Sequence, residues 1–239
     1  MRFCHFVDKV LRGDLRWAKS RPSARYLLSV GAPVHVWVAP AGAEPRAAAH
    51  RLLLELAGTL VRAPRLSHSP DGQPLVPGLA VSVSHTHQLV AVVASYGGPL
   101  GVDLEEVYPR EVQALARRWF TAEELAWTNR QPDELIAFLQ LWTAKEAVGK
   151  ALGRGLRGAG LRRAMPLGGG VVESEPHLLV TYVPWSGAVL ALAAPVGLTE
   201  IVVHHESPAS AGCRVLPPRV GCPRDRRASP TLDPPCARG

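Results

Sequence analysis

Residues 142–151 read WTAKEAVGKA, and this stretch decides the fold. Residues 133–141 just before it are amphipathic. Four side chains form an apolar stripe at helical spacing: Leu135, Phe138, Leu139 and Trp142. The next positions on the stripe are Glu146 and then Gly149 or Lys150, so a carboxylate falls where an apolar residue is expected. A charge at a core position is costly unless a metal ion or a cationic ligand compensates it. Taken alone, the stretch favours a simpler interpretation, an exposed i,i+4 pair of glutamate and lysine.

A second motif places two carboxylates on one face of a strand. Residues 101–105 read GVDLE, and strand alternation points Asp103 and Glu105 to one side and the two branched apolar residues to the other. Two carboxylates about 7 Å apart along a strand can converge on one hard cation if a third ligand approaches from elsewhere. Glu146 is the natural candidate for that ligand. The alternative is that the two acidic residues form the solvated face of the strand.

The remaining pattern alternates strands with helices along most of the chain. Strands are predicted at residues 34–38, 79–83, 89–94, 100–105, 171–172, 178–183, 188–193 and 200–203. Helices are predicted at residues 46–62, 111–120, 122–127 and from 133 to the glycines at 153 and 155. Residues 67–77 are expected to form a loop with a turn at Asp71 and Gly72. This order of elements predicts an α+β fold with mostly antiparallel pairing.

Composition narrows the class of protein and the class of partner. The 239 residues carry 27 basic and 20 acidic side chains, and this balance favours acidic partners. No nucleic-acid-binding motif is present, so we expect no nucleic acid partner. We also expect no signal peptide and no membrane span, because no apolar run is long enough. The four cysteines have neither zinc-site spacing nor a compact disulfide framework, which favours the reducing cytoplasm: Cys4, Cys213, Cys222 and Cys236.

Residues 84–87, which read SHTH, stand at a predicted hairpin turn. A histidine there is either simply exposed or a contact for a phosphate or a nucleotide, with His85 as a donor near neutral pH. A serine and a histidine adjacent in sequence do not form a nucleophile–base pair, and no acid is positioned to complete a triad. The glycines at 153 and 155 lack the strand–loop–helix order of a phosphate-binding loop, so they are interpreted as the end of a helix.

Together these motifs resemble the 4′-phosphopantetheinyl transferase superfamily, in its longer, surfactin-type branch. Three pieces carry the resemblance in matching order and spacing: GVDLE at 101–105, WFTAEEL at 119–125 and WTAKEAVGKA at 142–151. Three weaker pieces lie upstream: AHRLLL at 49–54, GQP at 72–74 and VSHT at 83–86. The resemblance covers residues 34 to 205. It implies two pseudo-symmetric subdomains, each with a small, mostly antiparallel sheet and packed helices.

The resemblance also implies domain boundaries. The N-terminal subdomain is expected at residues 1–99, with 1–30 left unassigned, and the C-terminal subdomain with the metal site at residues 100–206. Residues 207–239 are rich in proline and arginine with almost no apolar pattern, so we expect a disordered tail.

The activity implied by the resemblance is the transfer of the 4′-phosphopantetheine arm of coenzyme A to a serine of an apo acyl or peptidyl carrier protein. Adenosine 3′,5′-bisphosphate is released. Magnesium, with manganese as an alternative, would be held by Asp103, Glu105 and Glu146. Lys150 would contact the phosphate, and Glu124 or Glu146 would help to deprotonate the acceptor serine. We expect a monomer, and a basic surface that speeds encounter with an acidic carrier protein.

The residues expected to contact the coenzyme on this resemblance are Arg46, Arg51, Gly72, Gln73, Pro74, Ser84, His85 and Lys150. Two features depart from the family pattern. Gln73 stands where a lysine is common, which would make one phosphate contact neutral, and the short segment 40–45 is followed by only Arg46 and, further on, Arg51. These departures leave an alternative open, a catalytically weakened paralogue that binds the coenzyme or the carrier protein.

Overall fold

The structure, a computed structural model, describes residues 32–155, 160–197, 200–205 and 212–216. Its strands are β1 (Val34–Pro40), β2 (Ser67–His68), β3 (Pro74–Leu75), β4 (Ala80–His85), β5 (Leu89–Ser95), β6 (Gly101–Glu106), β7 (Gly170–Val172), β8 (Glu175–Trp185), β9 (Ala188–Pro195), β10 (Ile201–His205) and β11 (Gly212–Leu216). Its helices are α1 (Pro45–Leu60), α2 (Gln113–Trp119), α3 (Ala122–Thr128), α4 (Glu134–Ala151) and a 3₁₀ turn, Gly160–Arg162. The prediction for residues 1–30 lies outside the described residues.

Two main sheets, each with one long helix, organise the chain. The first sheet has the order β11-β10-β1-β5-β4, and the second has the order β6-β9-β8-β7. The pair β1–β10 is parallel, and the other pairs in these sheets are antiparallel. Helix α1 contacts β4 and β5 of the first sheet, and α4 contacts β6 and β9 of the second. The predicted α+β class with mostly antiparallel pairing is confirmed.

The two sheets share a hydrophobic core between their inner faces. Alternate residues of β1, including Val36, point into this core, and Val93 of β5 lies beside them. Val102 and Leu104 of β6 pack against them from the second sheet, together with Leu190 of β9. The two branched apolar residues of the GVDLE motif therefore lie in the core, as the alternation predicted. Because these residues anchor β6, the carboxylates between them must point to the opposite side, where α4 lies.

Helix α4 is buried on almost all sides, and its ends follow from local sequence. The side chain of Asp133 caps its first turn by accepting a hydrogen bond from the Ile136 amide at 2.9 Å. The helix ends at Ala151, and Gly153 follows with a φ of +64°, a left-handed conformation that favours glycine. The prediction that glycine ends this helix is confirmed.

Two glycines let the backbone approach α4 closely. A Cβ on Gly101 would lie 1.9 Å from the Ala147 carbonyl oxygen, so β6 can rest against the helix only with glycine at this position. A Cβ on Gly149 would lie 2.1 Å from the Gly155 carbonyl oxygen. The chain after the helix folds back there, with the Gly155 amide donating to the Gly149 carbonyl at 2.9 Å. These approaches set β6 against the segment of α4 that carries Glu146 and Lys150.

Three findings differ from the sequence expectations. The expected loop at residues 67–77 contains a small antiparallel hairpin, β2–β3, because His68 pairs with Pro74 across the turn. Gly212–Leu216 forms a strand paired with β10, so the expectation of a disordered tail from 207 is wrong for these five residues. Ile201–His205 joins the first sheet beside β1, a long-range pairing that no local pattern indicates. The boundary at residue 99 stays a prediction.

Candidate active site

Three carboxylates from β6 and α4 act on one another in the space between the two elements. Burial, followed by the charges of Asp103 and Glu105, raises the pKa of Glu146 well above its ordinary value, while Lys150 and a hydrogen bond with Trp142 oppose the shift. Burial and the charge of Asp103 raise the pKa of Glu105 to about 7. The structure thus brings together the three residues that the sequence predicted as metal ligands. We call them the acidic cluster.

Asp103 is the centre of the acidic cluster and is only 3% exposed. Its Oδ1 accepts a hydrogen bond from the Ser84 hydroxyl at 2.8 Å and another from the Lys150 ammonium at 2.7 Å. Lys150 also donates to the Val102 carbonyl at 2.8 Å. The other oxygen, Oδ2, is buried and accepts no hydrogen bond from any residue that the structure describes. A buried carboxylate oxygen without a partner is costly, so its presence here calls for a ligand.

Glu105 is held by a different cation. The Arg110 guanidinium donates to its Oε2 at 2.8 Å, and both side chains are largely buried. The same guanidinium lies 4.4 Å from the centre of the Tyr108 ring, which supports it from the other side. The loop after β6 therefore orients the second carboxylate of the acidic cluster.

The carboxylate oxygens of the acidic cluster are the ligand type that a hard divalent cation prefers. In the structure, two of the carboxylates are paired with Lys150 and Arg110. Within the described ranges, no group of three or more His, Cys, Asp or Glu side chains is arranged to hold a metal ion. Lys150 pairs with Asp103, and Arg110 pairs with Glu105. Magnesium prefers carboxylate oxygens, and the buried Oδ2 of Asp103 is an acceptor of that kind. Closure around an ion therefore requires Lys150 or Arg110 to move.

Strand β4 is joined to the acidic cluster through two serines on its buried face. The Ser82 hydroxyl accepts a hydrogen bond from the Val102 amide at 3.1 Å. The Ser84 hydroxyl accepts from the Leu104 amide at 3.3 Å while it donates to Asp103. Sequence reasoning assigned Ser84 to the nucleotide, but the structure gives its hydroxyl a role in orienting Asp103. The alternating serines of the SVS segment were the available signal for this contact.

The hairpin β2–β3 brings Gln73 to the end of α4. The Oε1 atom of Gln73 lies 3.2 Å from the position that a Cβ on Gly153 would occupy. Gln73 and Pro74 also line a cavity of about 340 Å³, mostly apolar, whose other lining residues are Ser67, Leu75, Val76, Pro77, Leu79, Ala80, Val81 and Leu100. Gly72 is exposed at the turn with a φ of +82°. Two of the predicted coenzyme contacts therefore line a cleft beside the helix that carries Glu146 and Lys150.

The other predicted coenzyme contacts lie on the first sheet and its helix. Arg46 and Arg51 are exposed on α1. His85 is half-buried at the end of β4, one residue after Ser84, so its side chain points to the opposite face of that strand. Their predicted contacts with a coenzyme stay predictions.

Glu124, the other predicted base, is engaged elsewhere and is only 1% exposed. It completes a capping box at the start of α3, in which its Oε2 accepts from the Thr121 amide at 2.8 Å. Its Oε1 accepts from the Met165 amide at 2.9 Å, and the Lys145 ammonium donates to Oε1 at 2.7 Å and to Oε2 at 2.9 Å. Both oxygens therefore have partners other than the acidic cluster, and the structure does not bring Glu124 together with Glu146.

Lys145 is the residue that sequence reasoning did not single out. It is fully buried, and it donates to the Arg163 carbonyl as well as to Glu124. Burial lowers its pKa, and the hydrogen bond and charge of Glu124 oppose that shift. The available signal was the set of small and apolar residues all around α4, which leaves no solvent-facing side for this lysine.

Comparisons with known proteins point to one family. Residues 99–167 match the model of the 4′-phosphopantetheinyl transferase superfamily. The chain is 31% identical over 112 residues to the 4′-phosphopantetheinyl transferase HetI of Nostoc sp., covering 46% of this chain and 45% of that protein. It is 36% identical over 91 residues to the 4′-phosphopantetheinyl transferase psf-1 of Bacillus pumilus, covering 36% of this chain and 38% of that protein. The resemblance inferred from the sequence is confirmed.

These matches cover only part of each relative. The aligned region spans less than half the length of HetI and of psf-1. A longer match, to a protein of Haemophilus influenzae, covers 67% of this chain and 70% of that protein at 27% identity. Among the described helices, none combines the length and the apolar character needed to cross a bilayer.

Proposed function

We propose that this chain, whose residues 99–167 belong to the 4′-phosphopantetheinyl transferase superfamily, transfers the 4′-phosphopantetheine arm of coenzyme A to a carrier protein. The acceptor is a serine hydroxyl of an apo acyl or peptidyl carrier protein. The serine oxygen forms a bond to the phosphorus that bears the arm, and the bond from that phosphorus to the bridging pyrophosphate oxygen breaks. Adenosine 3′,5′-bisphosphate departs, and the serine proton passes to a base.

The observation that supports this proposal most strongly is the acidic cluster around the buried, unpartnered Oδ2 of Asp103. We assign Asp103, Glu105 and Glu146 as the side chains that hold magnesium, with manganese as an alternative. When bound, the ion would neutralise charge on the pyrophosphate. Ser84 fixes the orientation of Asp103 through its 2.8 Å hydrogen bond, so one ligand is preorganised by β4.

Lys150 is assigned to the departing phosphate. Its ammonium bonds Asp103 in the structure, yet 28% of its side chain is exposed, so it can exchange this partner for a bound anion. An ammonium has three donors and no acceptor, which suits a phosphate whose negative charge increases as the bond breaks. The role follows from the position of Lys150 at the solvent side of the acidic cluster.

The proton acceptor is assigned to Glu146 rather than to Glu124. Glu146 is half-buried, and the charge of Asp103 acts on it. Both oxygens of Glu124, by contrast, are occupied by Lys145 and by backbone amides. A carboxylate that already accepts several hydrogen bonds in a sealed site is a poor base for an incoming hydroxyl.

The cleft lined by Gln73 and Pro74 is the proposed position of part of the coenzyme, because it adjoins Gly153 at the end of α4. His85 and the exposed Arg46 and Arg51 are assigned to its phosphates on the family resemblance. We place the reaction in the cytoplasm and expect the protein to act as a monomer.

The test is to incubate the protein with coenzyme A, magnesium and several apo acyl and peptidyl carrier proteins, and to measure their intact masses. A mass increase equal to the arm on at least one carrier protein is expected. A second candidate is a paralogue that binds the coenzyme or a carrier without transfer, which Gln73 favours because it is uncharged where the family commonly has lysine. Calorimetric binding of coenzyme A with no mass gain on any carrier protein would support that candidate instead.

A further inference from the structure

Two histidines face each other on the outer side of the first sheet. His50 on α1 and His68 on β2 are far apart in sequence, yet their Nε2 atoms lie 3.3 Å apart. The ring centres are 4.9 Å apart, and the ring planes are tilted by 46°. His50 is half-buried and His68 is exposed, so the space between the two nitrogens is open to solvent. Neither residue is part of the acidic cluster.

The separation of the two nitrogens is that of two ligands on one tetrahedral ion. Two zinc–nitrogen bonds of about 2.0–2.1 Å at the tetrahedral angle leave about 3.3–3.4 Å between the nitrogens. The right angle of a square-planar centre with bonds of similar length would leave only about 2.9 Å. The observed 3.3 Å is compatible with two ligands on tetrahedral zinc, and it is also within hydrogen-bonding distance of the two rings.

The chemical state of His50 suits a metal ligand. Burial, then the charge of His68, then the charge of Arg46 lower the pKa of His50 below its ordinary value. Its ring is therefore neutral at pH 7, the form in which an imidazole nitrogen offers a lone pair to a metal.

Both rings are held by ordered elements. His50 lies on α1, whose other face is anchored in the core by Leu52, Leu53 and Leu56. His68 pairs with Pro74 in the hairpin β2–β3. The backbone amide of Gln73 closes the turn of that hairpin by donating a hydrogen bond to the Ser69 hydroxyl at 3.0 Å. An ion between the two rings would join the hairpin to α1 without rearranging either element.

We propose that His50 and His68 form an open, two-ligand zinc site that clips the hairpin β2–β3 to α1. No third His, Cys, Asp or Glu joins them among the residues that the structure describes, so water or an exogenous ligand completes the coordination. The proposal does not rest on the proposed transfer, because neither histidine belongs to the acidic cluster or is assigned to the coenzyme.

The four cysteines of the full chain are first alkylated with iodoacetamide. The protein is then titrated with Zn²⁺ alone, and binding is measured by calorimetry. Beside any zinc that the acidic cluster takes up, one further equivalent is expected to bind to the wild-type chain. His50→Gln and His68→Gln should each weaken binding by about a hundredfold, because the second ligand acts at a high effective concentration once the first has bound. The matched control is His177→Gln, an exposed histidine on β8, which should bind zinc as the wild type does.

Hydrogen–deuterium exchange of the hairpin gives an independent readout. Zinc should slow amide exchange in residues 66–76 of the wild type and of His177→Gln, but not in either variant of the pair. Circular dichroism of each variant establishes that it is folded before the comparison is made. Equal zinc affinity in the wild type and in the folded His50→Gln and His68→Gln variants would overturn the proposal, and the two rings would then be simply hydrogen-bonded to each other.

Discussion

Helix α4 carries two lysines, five residues apart, that each pair with a carboxylate, and the two pairs differ in completeness. Lys145 and Glu124 form a sealed pair in which every carboxylate oxygen has a partner and both side chains are fully buried. Lys150 and Asp103 form an incomplete pair, with a half-exposed ammonium and one buried carboxylate oxygen that lacks a described partner. The sealed pair joins α3 and the Met165 segment to the helix, whereas the incomplete pair leaves bonding capacity for a ligand.

This difference separates structure from function within one motif of ten residues. When a buried charge is fully paired, its partners offset the cost of desolvation. Its hydrogen-bonding sites are then occupied, so it cannot bind a substrate. A buried acceptor that is only partly satisfied has lost its hydration and can recover the lost interaction by binding a cation. Both carboxylates are buried, so burial of the acid alone does not distinguish the two pairs, whereas the number of hydrogen bonds at each carboxylate oxygen does.

The largest effect is expected from Asp103→Asn. The change keeps the size of the side chain but removes the charge at the centre of the acidic cluster, so transfer should fall by about 10³-fold or more. Transfer is measured by mass spectrometry of the carrier protein as a function of time. The matched control is Glu106→Gln on the same strand. Glu106 accepts a hydrogen bond from the backbone amide of Gln88 and is not part of the acidic cluster. Full activity of Asp103→Asn would show that the Asp103 carboxylate is not required for transfer.

The next effect concerns the sealed pair. Lys145→Met leaves the Glu124 carboxylate buried without its cation, so the free energy of unfolding should fall by about 3–5 kcal/mol. Urea denaturation followed by fluorescence measures this loss. The double variant Lys145→Met/Glu124→Gln should recover part of it, because the amide oxygen of Gln can still accept a hydrogen bond from a backbone amide. A single variant as stable as the wild type would contradict the interpretation of a sealed structural pair.

The sequence predicted the acidic cluster because its three carboxylates follow two simple periods. Asp103 and Glu105 are two residues apart on a strand, and Glu146 interrupts a helical stripe. The most specific signal lay in three motifs between residues 101 and 151, which fall within the region 99–167 that the superfamily model matches. The periodicity thus identified the three carboxylates, and the family resemblance predicted that they bind one metal ion together.

The rest could not be predicted because it depends on contacts between distant elements. The partners of Lys145 include the carbonyl of Arg163, and nothing in the local pattern of α4 indicates that contact. Ser84 was assigned to a nucleotide on the family resemblance, and its hydrogen bond to Asp103 joins strands of two different sheets, which no local pattern indicates. The parallel return of β10 to β1 likewise joins segments more than 160 residues apart.

A smaller effect is expected where β6 touches the helix. Gly101→Ala places a Cβ against the Ala147 carbonyl, so β6 must shift away from α4 at a cost of about 1–3 kcal/mol in unfolding free energy. The shift should reduce transfer further than the loss of stability explains, because it separates Asp103 from Glu146. Gly58→Ala, on the outer side of α1, is a matched control with no close contact. Unfolding free energy and transfer rate are measured on both variants. Wild-type transfer by a destabilised Gly101→Ala would show that the approach of β6 to α4 serves packing alone.

The smallest effect tests whether Lys150 occupies the place of a divalent ion. Lys150→Met removes a half-exposed cation, so the free energy of unfolding should fall by only about 1 kcal/mol, less than for Lys145→Met. Magnesium should then raise the melting temperature of Lys150→Met more than that of the wild type, because the ion no longer competes with the ammonium for Asp103. Differential scanning fluorimetry with and without magnesium measures both shifts, and calcium serves as a second hard cation. Lys145→Met is the control, since its lysine lies outside the acidic cluster and its magnesium shift should equal that of the wild type. Equal magnesium shifts in all three proteins would mean that the two lysines differ in burial but not in function.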